Sequence, residues 1–256
     1  MIDTFMTKIL LIGLSFFGGA IGLFAQPSFL HSQKSYDKIA EIFARNEDNL
    51  KREFEERKII WPPKELYIRS FKFDQLVEVW IKNEDKKTFK LFKTYHICMP
   101  SGVIGPKRVE GDLQIPEGFY YINEFNPNSN YHLSLGLNYP NASDHLLSDS
   151  IHPGGEIYIH GNCVSVGCLA ITDIPIEELY ILATYARTSG QDFIPVHVFP
   201  VKYDVKNSIN YLNRVTRNNK NLQQFWLSLK QAFDFFDEKK KLPLILVNIK
   251  GEYLIN

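Results

Sequence analysis

Residues 157–172, IYIHGNCVSVGCLAIT, constrain this chain more than any other stretch. A β-prone run at 157–159 leads directly into a loop that holds His160, Cys163 and Cys168 among glycine and serine. A histidine and a cysteine eight residues apart in such a loop are a candidate general base and nucleophile. Such a loop works only when a rigid scaffold holds it, so the strands around it decide the fold.

Alternation of apolar and polar residues predicts a sheet on both sides of this stretch. Residues 74–75 have the composition of a hairpin turn between the first two strands. Two segments without periodicity, 100–112 and 141–155, are predicted to be long loops. The predicted strands are 66–68, 76–81, 87–99, 119–122, 131–139 and 193–201.

Apolar residues at helical spacing predict helices at 35–57, 173–187 and 222–233. A β-hairpin is predicted to close the chain over 242–255, and the polar stretch 202–220 is predicted to be weakly ordered. The sequence contains no internal repeat and no low-complexity tract. The pattern therefore predicts a mainly β domain of the α+β class with peripheral helices.

The charge balance argues against a nucleic-acid-binding protein. The 256 residues include 29 basic and 29 acidic side chains, so the formal net charge is zero and no basic surface is expected. The 45% hydrophobic content is enough for one well-formed core.

The N-terminus has the pattern of a secretory signal peptide. Lys8 precedes an apolar stretch at 9–24, and the hydrophobicity ends at Ala25, after which we expect cleavage. An uncleaved membrane anchor is the alternative, because the stretch approaches the length that spans a bilayer. No cysteine follows the apolar stretch at once, which argues against a lipid-attached N-terminus. Either alternative places the body of the protein in the periplasm or cell envelope, with the N-terminal segment engaging the membrane only for export or as an anchor.

The cysteine count is odd, which matters in an oxidising compartment. Among Cys98, Cys163 and Cys168, at least one thiol must stay free or pair between chains. A disulfide between Cys98 and Cys163 that leaves Cys168 free fits this arithmetic.

Three interpretations of residues 157–172 follow from residue chemistry alone. In the first, Cys168 is a nucleophile, His160 is its base and the Gly161 carbonyl orients the imidazole. Gly167 would then let a substrate carbonyl approach backbone N–H groups that stabilise an oxyanion.

The other two interpretations are a metal site and a purely structural loop. Zinc-capable side chains are present, but their spacing matches no recurrent zinc arrangement. Buried cysteine with a hydrogen-bonded histidine is common in protein cores, so a structural role stays open. The zinc-capable residues are His152, His160, Cys163, Cys168 and His197.

The same stretch resembles the active-site motif of the L,D-transpeptidase (YkuD-type) family of bacterial cell-wall enzymes. The matching residues are His160-Gly161-xxx-Ser165-x-Gly167-Cys168. Upstream segments are also similar to the family and to its compact, murein transpeptidase-like (YafK-like) branch. They are Gly105-Pro106-Lys107, Gly111-Asp112, Pro116-Glu117-Gly118-x-Tyr120, Tyr131-His132-Leu133-Ser134 and Asn138-Tyr139-Pro140-Asn141.

This resemblance implies a β-rich catalytic domain over 65–201, preceded by a helical segment at 26–64. The chain from 202 to 256 would pack on the same domain as a helix and hairpin. Cys168 would attack the carbonyl of the L-centre of a peptidoglycan tetrapeptide stem and expel the terminal D-residue, with His160 as general base. A second stem would accept the acyl group through an amine, and no cofactor or metal is implied.

The chain departs from many relatives at Val166 and Ala170, where those relatives have a histidine and an arginine. The identity of donor and acceptor is therefore open. A hydrolase is the first alternative, either an L,D-carboxypeptidase or an amidase that releases cross-links or peptidoglycan-linked protein. A non-catalytic wall-binding module is the second.

Five residues are candidates for substrate binding or oxyanion stabilisation. Lys107 and Asp112 are either ligands for substrate charges or a surface ion pair. Ser165 is expected to position the cysteine loop by hydrogen bonding, and Gly167 and Tyr139 complete the set. Four further histidines and the three tryptophans are predicted to be structural or exposed, although His152 has a place in a glycine-flanked loop that could line a groove. They are His132, His145, His152, His197, Trp61, Trp80 and Trp226.

Overall fold

The computed structural model describes residues 28–82 and 88–256. These residues form six helices and ten strands. The helices are α1 (Phe29–Lys34), α2 (Asp37–Glu56), α3 (Ala142–Leu147), α4 (Asp173–Thr188), α5 (Lys206–Val215) and α6 (Lys220–Lys239). The strands are β1 (Glu65–Phe71), β2 (Leu76–Lys82), β3 (Lys90–His96), β4 (Gly118–Asn126), β5 (Ser134–Leu137), β6 (Tyr158–His160), β7 (Leu169–Ala170), β8 (Ile194–Phe199), β9 (Ile245–Val247) and β10 (Tyr253–Ile255).

Eight strands form one mixed sheet in the order β3-β2-β1-β8-β4-β5-β6-β7. The pairs β1–β8 and β6–β7 are parallel, and the other neighbours are antiparallel. Strand β8 comes late in the chain but lies between β1 and β4, so it joins the first hairpin to the half of the sheet that carries residues 157–172. The α+β class predicted from the sequence is confirmed.

One face of the sheet packs against α4. Leu179, Ile181 and Leu182 of this helix are fully buried in the largest apolar cluster. Helix α2 packs beside α4 and against β3, where its Phe54 ring meets that of Phe92, and it contributes the buried residues Ile42 and Phe54 to the same cluster. The amphipathic helix predicted over 35–57 is therefore confirmed as α2, with its apolar side on α4 and the sheet.

The other face of the sheet is covered by the C-terminal part of the chain. Phe71 of β1 and Phe199 of β8 stack in one apolar cluster with Trp226 and Phe233 of α6. Tyr253 of β10 belongs to the same cluster. Successive side chains of a strand point to opposite faces, so β1 and β8 are buried on both sides by two different groups of helices.

Two predictions of irregular structure are wrong. Residues 202–220 contain helix α5, which buries only Ser208 and Leu212 and so leaves little apolar pattern in the sequence. Residues 141–155 begin with helix α3, which Asn141 caps by accepting the backbone N–H groups of Ser143 and Asp144. This cap is a local sequence signal that apolar periodicity does not detect.

The tryptophans lie in packed positions, as predicted. Trp80 and Trp226 are buried, and Trp61 is half-buried with its ring 5.0 Å from that of Phe54. The predicted strand at 87–99 is shorter at both ends, because regular pairing with β2 runs only along β3.

The predicted signal peptide at 1–25, with its cleavage after Ala25, lies outside the described residues. Within 28–82 and 88–256, no helix combines the length and the hydrophobicity needed to cross a bilayer.

Candidate active site

The candidate site lies where β6 and β7 pair at one end of the sheet. His160 is opposite Ala170, and Ile159 is opposite Leu169. Cys168 lies directly before β7, two positions before Ala170. Parallel pairing thus brings the two ends of the loop between His160 and Cys168 to neighbouring strands at one end of the sheet.

The imidazole of His160 is buried and held by its neighbour. Its Nδ1 lies 2.6 Å from the carbonyl oxygen of Gly161, and the Tyr131 ring packs at 4.8 Å between centroids. A carbonyl oxygen only accepts, so Nδ1 carries the proton and the unprotonated Nε2 of the neutral ring can act as a base. Burial lowers the pKa of His160, although the Gly161 carbonyl acts in the opposite direction.

The thiol of Cys168 is half-buried and free of disulfides. Its Sγ donates to the carbonyl oxygen of Glu156 at 3.5 Å. Burial raises the pKa of Cys168, and the charge of Glu156 adds to this, while the backbone of Tyr158 and the charge of Lys107 lower it. Thiol and imidazole are therefore both neutral at rest, and no hydrogen bond among the described residues joins them.

The loop before Cys168 is ordered by the hydroxyl of Ser165. This oxygen accepts the backbone N–H groups of Cys168 at 3.0 Å and Gly167 at 3.2 Å, and it donates to the Cys168 carbonyl at 2.8 Å. Gly167 has φ 131°, in the region that favours glycine. The two N–H groups expected to face an oxyanion are thus both bonded to Ser165.

Gly161 occupies a position with no room for a side chain. A Cβ there would lie 2.7 Å from Asp173 Oδ1, 2.8 Å from the Tyr131 carbonyl oxygen and 3.0 Å from the Cβ of His132. The close approach of these segments keeps the Gly161 carbonyl in place for His160.

Cys98 and Cys163 form a disulfide, with their Cα atoms 5.8 Å apart. The pairing expected from the odd cysteine count is confirmed. Cys98 also donates its N–H to the Ala170 carbonyl at 2.9 Å, so the bond ties the loop between His160 and Cys168 to the segment beside β7. Cys163 is therefore not available as a metal ligand in this form of the protein.

Of the two zinc-capable histidines outside the loop, His152 and His197, the second lies away from the candidate site. It is buried in β8, and its Nδ1 is 2.8 Å from the Tyr67 hydroxyl. Among the described residues, no group of three or more His, Cys, Asp or Glu side chains has a geometry that could hold a metal ion.

Cys168 opens onto a cleft of about 560 Å³. Lys107 lines one wall, and the rim carries the aliphatic side chains of Leu113, Ile151 and Val166, which are exposed by 50%, 77% and 73%. His152 also lines this cleft, as its glycine-flanked position suggested. The cleft thus combines Lys107 and two acidic residues, Glu110 and Glu156, with an apolar rim.

Lys107 and Asp112 form a largely buried ion pair with 2.6 Å between Nζ and Oδ1. Asp112 also accepts the backbone N–H groups of Arg108, Val109 and Gln114. Burial alone would raise the pKa of Asp112, but these hydrogen bonds and that from Lys107 hold it below its usual value. The pair therefore organises the loop and presents Lys107 to the cleft.

Tyr139 is buried behind the cleft rather than on its wall. Its hydroxyl donates to the Pro153 carbonyl at 2.9 Å and approaches the Lys107 carbonyl at 3.4 Å. Burial raises the pKa of Tyr139 to about 12, so the hydroxyl keeps its proton and ties the two cleft loops together.

Comparison with known proteins decides the family. The chain is 32% identical over 193 residues, 75% of its length, to the Escherichia coli (strain K12) protein named "Putative L,D-transpeptidase YafK", and covers 74% of that protein. The Escherichia coli O157:H7 protein of the same name matches with the same figures. This chain belongs to the L,D-transpeptidase family. The resemblance inferred from its motifs is confirmed at that level, although no family model matches the chain.

Solved structures resemble this member of the family only loosely. The helical cell shape determining protein Pgp2 from Campylobacter jejuni is 19% identical with a TM-score of 0.41, over 86% of this chain and 82% of Pgp2. Bd1075 from Bdellovibrio bacteriovorus is 17% identical with a TM-score of 0.39, over 73% and 78% of the two chains. Neither adds to the family assignment.

Sequence reasoning missed two contributors to the site. Glu156 acts through its backbone carbonyl at φ 54°, which no side-chain pattern reveals. Lys72 is buried and donates to the carbonyl oxygens of Gly105 and Ile115, at 2.7 and 2.6 Å, so it fastens both ends of the loop that carries Lys107. Lys72 also forms an ion pair with buried Glu117, with 3.2 Å between Nζ and Oε1, which balances its buried positive charge.

The other histidines discussed above are either paired or exposed, in line with the prediction that they are structural or exposed. His132 Nε2 is 2.6 Å from Glu177 Oε1, and His145 and His152 are exposed. His197 is structural, because the Tyr67 hydroxyl occupies its Nδ1.

Proposed function

We propose that this protein is a cell-envelope cysteine enzyme that acts on peptidoglycan stem peptides. The observation that carries the proposal is the bond between His160 Nδ1 and the Gly161 carbonyl, because it leaves Nε2 free as a base on the strand that pairs with β7, directly after Cys168. The name of the Escherichia coli relative supports the substrate class, and an enzyme with that substrate would work in the cell envelope.

Acylation begins when the Cys168 thiol turns from the Glu156 carbonyl toward His160. Nε2 takes the Sγ proton while Sγ bonds to the carbonyl carbon of the L-centre of the stem. The peptide C–N bond then breaks, and the departing amine takes the proton from Nε2. The product is a thioester on Cys168 with the imidazole neutral again.

Deacylation uses the same base. An amine acceptor from another stem gives its proton to Nε2 and attacks the thioester carbon. The C–S bond then breaks and the Cys168 sulfur takes the proton from Nε2, which yields a new amide cross-link and the free thiol. Water in place of the amine gives a carboxylic acid. In both steps the substrate oxyanion competes with the Ser165 hydroxyl for the N–H groups of Gly167 and Cys168.

We expect the donor to carry both charges, because Lys107 and the carboxylates of Glu110 and Glu156 line the cleft together. The charge of Lys107 also stabilises the thiolate of Cys168, whereas the charge of Glu156 disfavours it. Asp112, the partner of Lys107, is held by three backbone N–H groups, so Lys107 stays fixed when a substrate carboxylate approaches.

Hydrolysis is the second candidate outcome, and two positions favour it. Val166 is an exposed aliphatic side chain on the rim, and Ala170 is fully buried in β7. Neither offers a charge to hold the acceptor stem, so water or an amine of few charges is the acceptor that these positions favour.

Muropeptide profiling tests the proposal. The purified full chain and its Cys168→Ala variant are incubated with sacculi, and the digested products are compared. New 3–3 cross-links indicate the transferase, and shortened stems, lost cross-links or released protein indicate the hydrolase. Identical profiles for both proteins, with sacculus binding retained, would make the protein a non-catalytic wall-binding module instead.

A second readout reports the acyl-enzyme directly. A carbapenem should add its mass to the wild type and not to Cys168→Ala in intact-protein mass spectrometry. Cys98 and Cys163 are paired, so Cys168 is the free thiol that can react.

A further inference from the structure

A second and larger cleft, of about 860 Å³, lies outside the candidate active site. It is bounded by the start of α6, by the turn and strand of the C-terminal hairpin, and by Pro106 and Arg108. Its volume falls within the roughly 300–1,000 Å³ of small-molecule binding sites. None of the active-site residues described above lines it.

The cleft is lined with neutral polar groups. Asn219, Asn221 and Gln224 contribute amides, and Phe225 and Tyr253 form an aromatic wall with centroids 6.1 Å apart. Asn219 uses only its Oδ1, which caps α6 by accepting the Leu222 N–H at 3.0 Å. The side chains of Asn221 and Gln224 and the Nδ2 of Asn219 make no hydrogen bond among the described residues. Each amide can both donate and accept.

Few charged side chains line this cleft, and their charges largely offset one another. Arg108 donates to Asp144 at 3.0 Å and lies over the Phe225 ring at 5.5 Å. Lys250 and Glu252 carry opposite charges on the hairpin side. A stem peptide, with several carboxylates and an ammonium group, would find few charged partners there. Hydroxyl and acetamido groups on a ring with an apolar face match the amides and the aromatic wall.

This cleft and that of Cys168 share one loop, which spans residues 106–111. Lys107 lines the Cys168 cleft, and its neighbour Arg108 lines the second one. This loop is braced where Asp149 N–H donates to the Arg108 carbonyl at 2.8 Å and Glu110 N–H donates to the His152 carbonyl at 2.8 Å. The two clefts are therefore neighbours joined by one braced pair of loops.

We propose that the second cleft binds the N-acetylated glycan strand of the same peptidoglycan whose stem peptide enters the Cys168 cleft. This inference rests on the proposed function for the identity of the polymer. It adds a glycan-binding site formed by α6 and the C-terminal hairpin, which would hold the sugar while Lys107 meets the peptide.

Binding of a peptide-free glycan tests the site apart from catalysis. The probe is the tetramer of N-acetylglucosamine at millimolar concentration, added to the full-length Cys168→Ala protein and followed by NMR of backbone and side-chain amides. Shifts are expected at 219–228 and 250–254. The Asn221→Ala/Gln224→Ala double variant should weaken binding about tenfold. Gln231→Ala, an exposed amide on the same helix that does not line the cleft, should bind as wild type does.

Kinetics with two substrates gives the second measurement. The double variant should raise KM for a disaccharide-linked stem and leave turnover of the free stem peptide unchanged. Shifts confined to the Cys168 cleft, absent shifts, or equal binding by the double variant would overturn the glycan site. If the wild type turned over neither substrate while the NMR shifts were present, the result would instead count against the proposed enzyme function.

Discussion

The Cys168 thiol donates a hydrogen bond to the Glu156 carbonyl oxygen across 3.5 Å. This contact commits the thiol proton to a backbone carbonyl rather than to His160, and burial favours the protonated thiol. In the proposed mechanism, reaction therefore begins with a side-chain rotation and a proton transfer, rather than from a preformed ion pair of thiolate and imidazolium.

The pH dependence of turnover should reflect the neutral imidazole. Burial lowers the pKa of His160 below its ordinary 6.5, so Nε2 stays unprotonated and able to act as a base to lower pH. We expect kcat/KM to hold between pH 7 and 6.5 and to fall only below 6.5. A steep fall in kcat/KM that begins above pH 7 would contradict a resting state in which thiol and imidazole are both neutral. The measurement is kcat/KM on a stem peptide against pH.

Gly161→Ala should destabilise the protein by about 1–3 kcal/mol, because its Cβ would overlap Asp173 and the Tyr131 carbonyl. It should also reduce turnover by displacing the carbonyl that orients His160. Gly155→Ala is the matched control, since its Cβ would meet nothing within 4 Å. Urea denaturation should place the control within about 0.5 kcal/mol of wild type. Equal stability of the two variants would contradict this prediction.

Ser165→Ala should lower both stability and turnover. It leaves the N–H groups of Cys168 and Gly167 without their partner, at about 1–2 kcal/mol. We expect kcat to fall about tenfold, because the lost order of the loop outweighs the removal of a competitor for these N–H groups, and Ser165→Thr, which keeps the hydroxyl, to retain most of it. If Ser165→Ala turned over faster than wild type, the freed N–H groups would be serving the oxyanion better than the ordered loop does.

Removing the disulfide should destabilise the fold by about 4 kcal/mol on the loop-entropy estimate, because it closes a loop between residues 65 apart in sequence. The Cys98→Ser/Cys163→Ser variant should melt below wild type, and reductant should lower the melting temperature of the wild type only. Thiol titration of unfolded, unreduced protein should find one free thiol. Three would show that the pair does not form.

His197 should make the protein acid-sensitive. Burial lowers its pKa to about 3, whereas in the unfolded chain it takes up a proton near 6.5. The unfolded state therefore binds the extra proton between these values, and stability falls as pH drops through that window, by up to about 1.4 kcal/mol per pH unit. Urea midpoints of wild type and His197→Phe from pH 7 to 4 should show a shallower decline in the variant. Parallel declines would assign the sensitivity to other groups.

The sequence predicted features that depend on local pattern. Helix α2 was predictable from the spacing of Ile42 and Phe54, and three cysteines required one thiol without an intramolecular partner, which the structure identifies as Cys168. Helix α5 was not, because Ser208 and Leu212 alone carry its buried side. The buried Lys72 was also out of reach, since its partners Gly105 and Ile115 lie more than thirty residues away.

By itself the sequence determined which reactive groups this protein has and how they are spaced, from His160-Gly161 to Gly167-Cys168. Only the tertiary structure decided their protonation and orientation. The pKa of His160 and Cys168 depends on burial beneath distant segments, and the hydrogen bond of the thiol depends on the Glu156 backbone rather than on its side chain. These are properties of packing, which brings residues together regardless of their order in the chain.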